Sequence, residues 1–119
     1  MAIQSYKEIV AWQKSHCLAL EVYKLTKLFP KSEEFVLISQ IRRCAVSIAS
    51  NIVEGFARKS LKDSKRFYVI AEGSLEELKY QLLLSKDLGY IDLESYSKIS
   101  KIAEEVSKLL CSWKKSQKY

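Results

Sequence analysis

The sequence predicts an all-α protein, an up-down-up-down antiparallel four-helix bundle. Apolar residues recur at spacings of three and four along most of the chain, which is the period of an amphipathic helix. Only one proline and three glycines interrupt the 119 residues, so we expect long helices and short connections. The sequence lacks the apolar–polar alternation of a half-buried strand. Residues 1–119 are therefore expected to form a single four-helix bundle domain.

The first helix is predicted over about residues 6–29, because Pro30 cannot continue a helix. Apolar side chains recur along it at helical spacing, which predicts one buried face. The positions on this face are Ala11, Leu18, Val22, Leu25 and Phe29.

The second helix is predicted to begin after Ser32 and to end between Gly55 and Lys59. A serine N-cap accepts a hydrogen bond from a backbone N–H of the first turn, and Glu33 and Glu34 suit the positive end of the helix dipole. Two stripes run along this helix on neighbouring faces. The apolar stripe, which predicts the core, consists of Ile38, Ile41, Ala45, Ile48, Ile52 and Phe56. The polar stripe consists of Gln40, Arg43, Ser47, Asn51 and Glu54.

The polar stripe predicts an interface, either with another protomer or with a neighbouring helix of the bundle. It is rich in short uncharged side chains, contains no lysine and adjoins the apolar residues Leu37, Cys44 and Val53. Such a composition is typical of a partly polar contact between helices. The alternative is a helix face exposed to solvent. An Asn51→Asp substitution that left assembly and stability unchanged would contradict the interface.

The third helix is predicted to begin after Ser60, with Asp63 three residues later in a capping-box-like pair. Its buried positions are expected to be Phe67, Ala71, Leu75, Leu78 and Leu82. Gly73 lies in mid-helix, where glycine costs roughly 1 kcal/mol relative to alanine. We interpret it as a point where another helix approaches closely, against Ser47 and Asn51. A neutral replacement at an exposed position is the alternative.

The fourth helix is predicted to begin after its N-cap, Asp92. Gly89 fits a left-handed C-cap for the third helix, with Ile91 packing beside it. The buried positions of the fourth helix are expected to be Tyr96, Ile99, Ile102, Val106, Leu109 and Trp113. Four helices of similar length with short connections favour antiparallel neighbours.

Patterns of catalysis are weak in this sequence. His16 is the only histidine, and neighbouring side chains on a helix, such as Cys17, do not face each other. Glu-x-x-His di-iron motifs, glycine-rich phosphate loops and dinucleotide motifs are absent. We interpret Glu72, Glu76 and Glu77 as an exposed helical face. We therefore expect no catalytic residue, no metal ligand, no cofactor and no enzymatic activity.

The three cysteines, Cys17, Cys44 and Cys111, are an odd number without paired spacing. We expect buried, reduced thiols in a cytoplasmic protein rather than disulfides. The sequence contains no uninterrupted apolar run long enough to span a membrane, and its first residues lack the apolar core of a signal peptide.

Basic residues are concentrated at one predicted end of the bundle. The net charge is +6, and five basic residues cluster where the second helix meets the third: Arg58, Lys59, Lys62, Lys65 and Arg66. Both chain termini are expected at this end, so Lys114 and Lys115 join it as secondary contacts, with Lys7 and Lys118 nearby. The opposite end contains Glu33, Glu34, Asp87, Asp92 and Glu94, partly offset by Lys27, Lys31 and Lys86. The basic end suits phosphate contacts, and a solvated, lysine-rich end is the alternative.

Six short segments spread over nearly the whole chain form a recognisable pattern: Trp12-Gln13, Phe29-Pro30, Gln40-Ile41-Arg42-Arg43, Ser47-Ile48-x-x-Asn51-Ile52-x-Glu54-Gly55, Gly73-Ser74-x-x-Glu77 and Leu88-Gly89-Tyr90. With these segments the sequence resembles the bacterial 23S rRNA-intervening-sequence protein family. The resemblance implies an up-down four-helix bundle that assembles into a homopentameric ring and has no established active site. The sequence is also similar to the accessory protein of diversity-generating retroelements, a pentamer that binds nucleic acid and a reverse transcriptase.

Residues and resemblance together predict a non-enzymatic, cytoplasmic homo-oligomer without a small-molecule substrate or a membrane partner. It is expected to bind nucleic acid, RNA in preference to DNA, through phosphate contacts at the basic end. Arg42 and Arg43 are expected to serve the subunit interface or the ligand. The alternative function is a structural adaptor whose basic end binds an acidic protein.

Overall fold

Four long helices form an antiparallel bundle in the computed structural model, which describes residues 2–118; Met1 and Tyr119 lie outside the described residues. The helices are α1 (Val10–Thr26), α2 (Ser39–Ala57), α3 (Leu61–Asp87) and α4 (Leu93–Ser116). Helices α1 and α3 each pack against both α2 and α4, and residues 2–118 contain no strand. This arrangement confirms the predicted all-α fold class.

The core is an apolar layer to which all four helices contribute, as the helical spacing predicted. Its side chains are almost inaccessible to solvent and include Leu18, Val22, Ile41, Ile48, Ile52, Leu75, Leu78, Leu82, Val106 and Leu110. Several predicted positions of the fourth helix are only partly buried, namely Tyr96, Ile102, Leu109 and Trp113. The fully buried seam of α4 lies slightly to one side of the predicted one because Ala103 and Leu110 belong to it.

The first helix is shorter than predicted. A separate 3₁₀ turn (Tyr6–Glu8) precedes it, closed by a capping box in which Glu8 Oε2 accepts the Ser5 N–H at 2.9 Å. Extended backbone at Ile9 then separates this turn from α1, because Ile9 turns into the core. At the other end, α1 stops at Thr26, whose hydroxyl donates to the Val22 carbonyl at 2.8 Å.

The prediction that Ser32 caps the second helix is wrong. A 3₁₀ turn (Lys31–Glu33) and a π-helical turn (Glu34–Ile38) lead into α2, and neither has a side-chain cap. Tyr90 explains this path, because its hydroxyl donates to Glu33 Oε2 at 2.8 Å and thereby ties the segment to the α3–α4 connection. The π turn, with its extra residue, buries the consecutive Leu37 and Ile38 and leaves the preceding side chains in solvent.

The connection between α2 and α3 follows the prediction at its ends but not in its packing. Helix α2 ends at Ala57, and Ser60 Oγ accepts the Asp63 N–H at 3.2 Å, which confirms the N-cap of α3. The core position of the first turns of α3 belongs to Tyr68, however, and the prediction of Phe67 there is wrong. Tyr68 packs directly on Gly55, where a Cβ would collide with the tyrosine ring.

The connection between α3 and α4 is the one predicted. Gly89 has a φ of 85° in the left-handed region, and the Tyr90 N–H donates to the Ser85 carbonyl, which completes the C-cap. Ile91 is buried beside it. Asp92 Oδ1 accepts the Ser95 N–H at 2.7 Å, and this hydrogen bond lowers the pKa of the Asp92 carboxyl.

Within the described part of the chain, the segment Lys31–Ala57 is long and apolar enough by composition to count as a candidate membrane span. Of its most apolar window, 39% is buried inside the bundle. The core helix of a soluble bundle produces the same signal, so this segment is weak evidence for a membrane location.

Candidate nucleic-acid interface

The basic end of the molecule is formed by the connection that follows α2 and by the first two turns of α3. We define it by Arg58, Lys59, Lys62, Lys65 and Arg66. All of these residues are exposed except the half-buried Lys65. They come together because the connection is only three residues long, from Arg58 to Ser60, and the helix that follows begins with basic residues on successive turns. The cluster predicted from the sequence thus lies at one end of the α2–α3 pair.

Phe67 organises the two arginines of the basic end. The guanidinium carbon of Arg58 lies 4.5 Å from the centre of the Phe67 ring, and that of Arg66 lies 5.5 Å from it. Arg58 Nη2 also binds Glu54 Oε2 at 2.9 Å. These contacts restrict the side chains of both arginines, so less conformational entropy is lost when a guanidinium binds an anion. This role of Phe67 was not predicted from the sequence, because the helical spacing had placed Phe67 in the core. Helical spacing alone does not separate the two, because Phe67 and Tyr68 both lie three or four residues before Ala71.

The lysines of the basic end differ from Lys114 in their ion pairs. Among residues 2–118, no carboxylate lies within ion-pair distance of Lys59, Lys62 or Lys65. Lys114, by contrast, binds Glu72 Oε1 at 2.8 Å in a half-buried pair between α4 and α3. Lys115 is exposed one residue further on. Lys114 is thus held within the bundle, unlike the lysines of the basic end.

The polar stripe of α2 divides into an inward and an outward part. Ser47 contacts α3 of the same chain, since its hydroxyl lies 2.8 Å from that of Ser74. Asn51 Nδ2 donates to the Ser47 carbonyl at 2.8 Å and to its hydroxyl at 3.0 Å. Gln40 and Arg43 are exposed. The neighbouring helix therefore accounts for Ser47, and an interface between protomers stays a prediction.

Gly73 does not mark a close approach within the chain, which makes that interpretation wrong for the monomer. A Cβ at this position would meet nothing within 4 Å. The small residue that contacts Ser47 is the adjacent Ser74. Gly73 instead lies on the outer face of α3, among the exposed side chains of Val69, Ile70 and Tyr80.

Arg42 has a structural role that separates it from Arg43. Its Nε donates to Thr26 Oγ1 at 2.8 Å, and its guanidinium lies 4.6 Å from the centre of the Tyr23 ring. The positive charge therefore sits at the C-terminal end of α1, where the helix dipole favours it. Arg42 joins α1 to α2, whereas Arg43 remains available to a partner.

The three cysteines occupy three different environments, so the prediction that all are buried is wrong. Cys17 is exposed and Cys111 half-buried. Cys44 is buried, and its thiol donates to Glu77 Oε2 at 2.9 Å. Burial and this hydrogen bond to a carboxylate raise the Cys44 pKa to about 12, so the thiol is protonated at neutral pH.

The remaining candidates for chemistry are dispersed. His16 is exposed and stacks on Trp12, with ring centres 5.1 Å apart. Residues 2–118 include no group of three or more His, Cys, Asp or Glu side chains arranged to hold a metal ion. The clearest concentration of charge among the described residues is the group of cations at the basic end.

Comparisons with known proteins agree with the resemblance. A family model described as 23S rRNA-intervening sequence protein matches residues 7–112. A crystal structure from Bacteroides thetaiotaomicron, described as a protein of unknown function from the S23 ribosomal protein family, is similar with a TM-score of 0.81 and 34% identity. The match covers 89% of this chain and 99% of that chain. A search of curated proteins found no match. Neither description names an enzymatic activity.

Proposed function

This chain belongs to the 23S rRNA-intervening sequence protein family, and we propose that it is a non-enzymatic, oligomeric helical bundle that binds nucleic acid through its basic end. The ligand is RNA in preference to DNA, an inference that rests on the family's description. Phosphate groups supply the contacts, and base sequence contributes little.

The observation that carries this proposal is the state of the cations at the basic end. Three of the five are lysines without an ion pair among the described residues, and the two arginines lie on a single aromatic ring. Unpaired surface cations bind phosphates and release the counterions that surround the nucleic acid, which is a favourable, salt-dependent process. Phe67 lies beneath the guanidiniums, so base stacking is not part of the proposed contact.

Assembly of several subunits brings several copies of the basic end together. We place the subunit interface on the outer surface of the α2–α3 pair, where the exposed Gln40 and Arg43 of α2 lie alongside exposed residues of α3. The α3 residues are Val69, Ile70, Gly73 and Tyr80, three exposed apolar side chains and an open glycine, with the exposed Glu76 and Glu77 on the same helix face. In a ring of parallel subunits, all basic ends lie on one side, and several weak contacts act together on one nucleic acid.

An acidic protein is the second candidate ligand of the basic end. The specific observation in its favour is that Arg58 already binds a carboxylate, that of Glu54. Competition distinguishes the two ligands, because a generic RNA and polyglutamate present different anions at similar charge density.

The test is fluorescence anisotropy of a labelled, structured RNA over a salt series. The variant Lys62→Gln/Lys65→Gln/Arg66→Gln should bind more weakly, and the slope of log affinity against log salt should fall by about two to three units. Lys24→Gln/Lys27→Gln/Lys31→Gln is the matched control, since it removes the same charge at the opposite end of the molecule. Equal losses in both variants would refute the assignment of the site. Binding of a labelled polyglutamate that unlabelled RNA does not displace would favour the adaptor.

The subunit interface has its own test. Ile70 is 46% exposed, so Ile70→Glu should leave the helical fold intact and shift the sedimentation coefficient toward that of a monomer. Val10→Glu, at a position 52% exposed on α1, is the control. An unchanged sedimentation coefficient in Ile70→Glu would place the interface elsewhere.

A further inference from the structure

Arg58 and Arg66 lie on the same aromatic ring but differ in what else holds them. The guanidinium carbon of Arg58 lies 4.5 Å from the centre of the Phe67 ring, and that of Arg66 lies 5.5 Å from it. Arg58 Nη2 also binds Glu54 Oε2 at 2.9 Å. Among residues 2–118, no carboxylate lies within ion-pair distance of Arg66. The charge of Arg66 is therefore open to a ligand, whereas that of Arg58 is already in use.

The end of α2 explains why Glu54 keeps Arg58. Glu54 lies in the last turn of the helix, where the helix dipole disfavours a negative charge, so the carboxylate gains by holding a cation. Arg58 follows four residues later, the spacing that places two side chains on one helix face. Its backbone is fixed as the C-cap of α2, since the Arg58 N–H donates to the Gly55 carbonyl at 3.2 Å. The backbone, the aromatic ring and the carboxylate thus hold one guanidinium together.

This ion pair changes how a nucleic acid meets Arg58. The pair carries no net charge, and the Glu54 side chain is 55% exposed, so an approaching phosphate meets a carboxylate beside the guanidinium. To bind Arg58, the phosphate must replace an acceptor that is already in place and then stay close to the freed carboxylate, which repels it. The lysines of the basic end and Arg66 require no such exchange.

We propose that Glu54 withholds Arg58 from the nucleic acid and thereby lowers the affinity of the basic end. The inference rests on the proposed function, and it identifies a residue that weakens the site. In the wild-type protein, phosphates contact the other four cations of the basic end while Arg58 stays on Glu54. Removal of the Glu54 charge releases Arg58 as an additional phosphate contact.

The first experiment observes Arg58 without any nucleic acid. Phenylglyoxal reacts with the nitrogens of arginine side chains, and a nitrogen that is bound to a carboxylate is less available as a nucleophile. Mass spectrometry should show that Arg58 is modified severalfold faster in Glu54→Gln than in wild type. Arg66 is the internal reference, and its rate should be unchanged. Equal rates for Arg58 in the two proteins would overturn the proposal, whether or not the protein binds RNA.

The second experiment applies the RNA salt series to variants of the pair. Glu54→Gln should bind about two- to fivefold more tightly than wild type, and the slope of log affinity against log salt should steepen by up to about one unit, because one more phosphate is neutralised. Glu54→Gln/Arg58→Gln removes both charges of the pair and should bind as wild type. Glu94→Gln is the matched control, since it removes a carboxylate from an i,i+4 pair with Lys98 at the opposite end.

The variants separate this inference from its alternatives. If Glu54→Gln/Arg58→Gln bound as weakly as Arg66→Gln, Arg58 would contact the ligand in spite of Glu54, and the proposal would be wrong. It would also be wrong if Glu54→Gln bound more tightly with an unchanged salt slope and Asp63→Asn did the same, because Asp63 is an exposed carboxylate in the first turn of α3 without a link to Arg58. Absence of RNA binding by wild type would refute the proposed function, and the phenylglyoxal rates would still decide whether Glu54 holds Arg58.

Discussion

The inner and outer faces of α3 differ in what covers them. On the inner face, Tyr68 packs on Gly55, and Ser74 meets Ser47 at 2.8 Å. On the outer face, Val69, Ile70 and Tyr80 are between 46% and 61% exposed, and the space above Gly73 is open.

The difference shows that one helix combines a packed seam with an uncovered apolar surface. Helical period alone identifies both as apolar and does not distinguish them. The inner face is covered by other helices of the same chain, so substitutions there should change the free energy of unfolding of the monomer. The outer face, in our proposal, is covered by another subunit, so substitutions there should change assembly and leave the monomer stable.

The largest expected effect concerns the Cys44 thiol, which α2 holds against α3. Because its pKa is raised from 9.0 to about 12, its thiolate fraction at pH 8 should be about a thousandfold below that of an ordinary thiol. A thiol-reactive dye should therefore modify Cys44 only on unfolding, while the exposed Cys17 reacts in the native protein. Rapid native labelling of Cys44 would contradict the hydrogen bond to Glu77.

The same pKa shift predicts a pH dependence of stability. The folded state holds the Cys44 proton more tightly than the unfolded state, so this contribution is complete below pH 9 and is lost as pH rises toward 12. Urea unfolding between these pH values should show stability falling more steeply in wild type than in Cys44→Ala. Identical slopes in the two proteins would show that Cys44 titrates normally.

Gly55→Ala should be the most damaging small substitution on the inner face. The added Cβ collides with the Tyr68 ring, which is wholly buried and has no room to retreat. Overpacking of this kind costs about 1–3 kcal/mol of unfolding free energy, measurable by urea denaturation. If the free energy of unfolding changed by less than about 0.5 kcal/mol, α2 and α3 would have to move apart at Gly55 without loss of stability.

Ser60→Ala should lower the unfolding free energy by about 1 kcal/mol, because the Asp63 N–H loses its side-chain acceptor. Thermal and urea unfolding both report this change. Ser116→Ala, near the end of α4, is a suitable control, since among residues 2–118 its hydroxyl bonds to the nearby Trp113 carbonyl and to Gln117 and to nothing else. If the two substitutions cost the same, the cap does not stabilise α3.

Gly73→Ala should give the smallest and opposite effect on the monomer, a gain of about 0.5–1 kcal/mol from the higher helix propensity of alanine in open space. In our proposal the same methyl group obstructs the neighbouring subunit, so sedimentation should show weaker assembly. If the monomer were stabilised and assembly were unchanged, Gly73 would be a solvent-exposed residue outside the subunit interface.

The sequence was informative wherever a local rule decides the structure. Ser60 and Asp92 were recognisable as caps and Gly89 as a left-handed C-cap, because each depends on backbone groups within a few residues. The start of α2 was not predictable in this way. Its path depends on the contact between Glu33 and Tyr90, which are 57 positions apart in the sequence.

The candidate site likewise has features that the local sequence predicts and features that depend on distant contacts. The cluster of basic residues at the start of α3 is visible in the sequence because it is contiguous. Its composition does not reveal that Lys114 is held by Glu72, or that Phe67 lies beneath two guanidiniums. Both contacts depend on the rotation of α3 about its own axis. Placing Phe67 rather than Tyr68 in the core changes that rotation by one residue.

By itself, the sequence determined the number of helices, three of their caps and the separation of charge between the two ends. These features follow from periodicity, local hydrogen bonding and residue order, which require no knowledge of distant contacts. The tertiary structure alone decided which side chains of α3 face the core, which lysines are paired and where apolar side chains are left exposed. These are decided by packing between helices, because burial and pairing depend on residues that only the folded chain brings within reach.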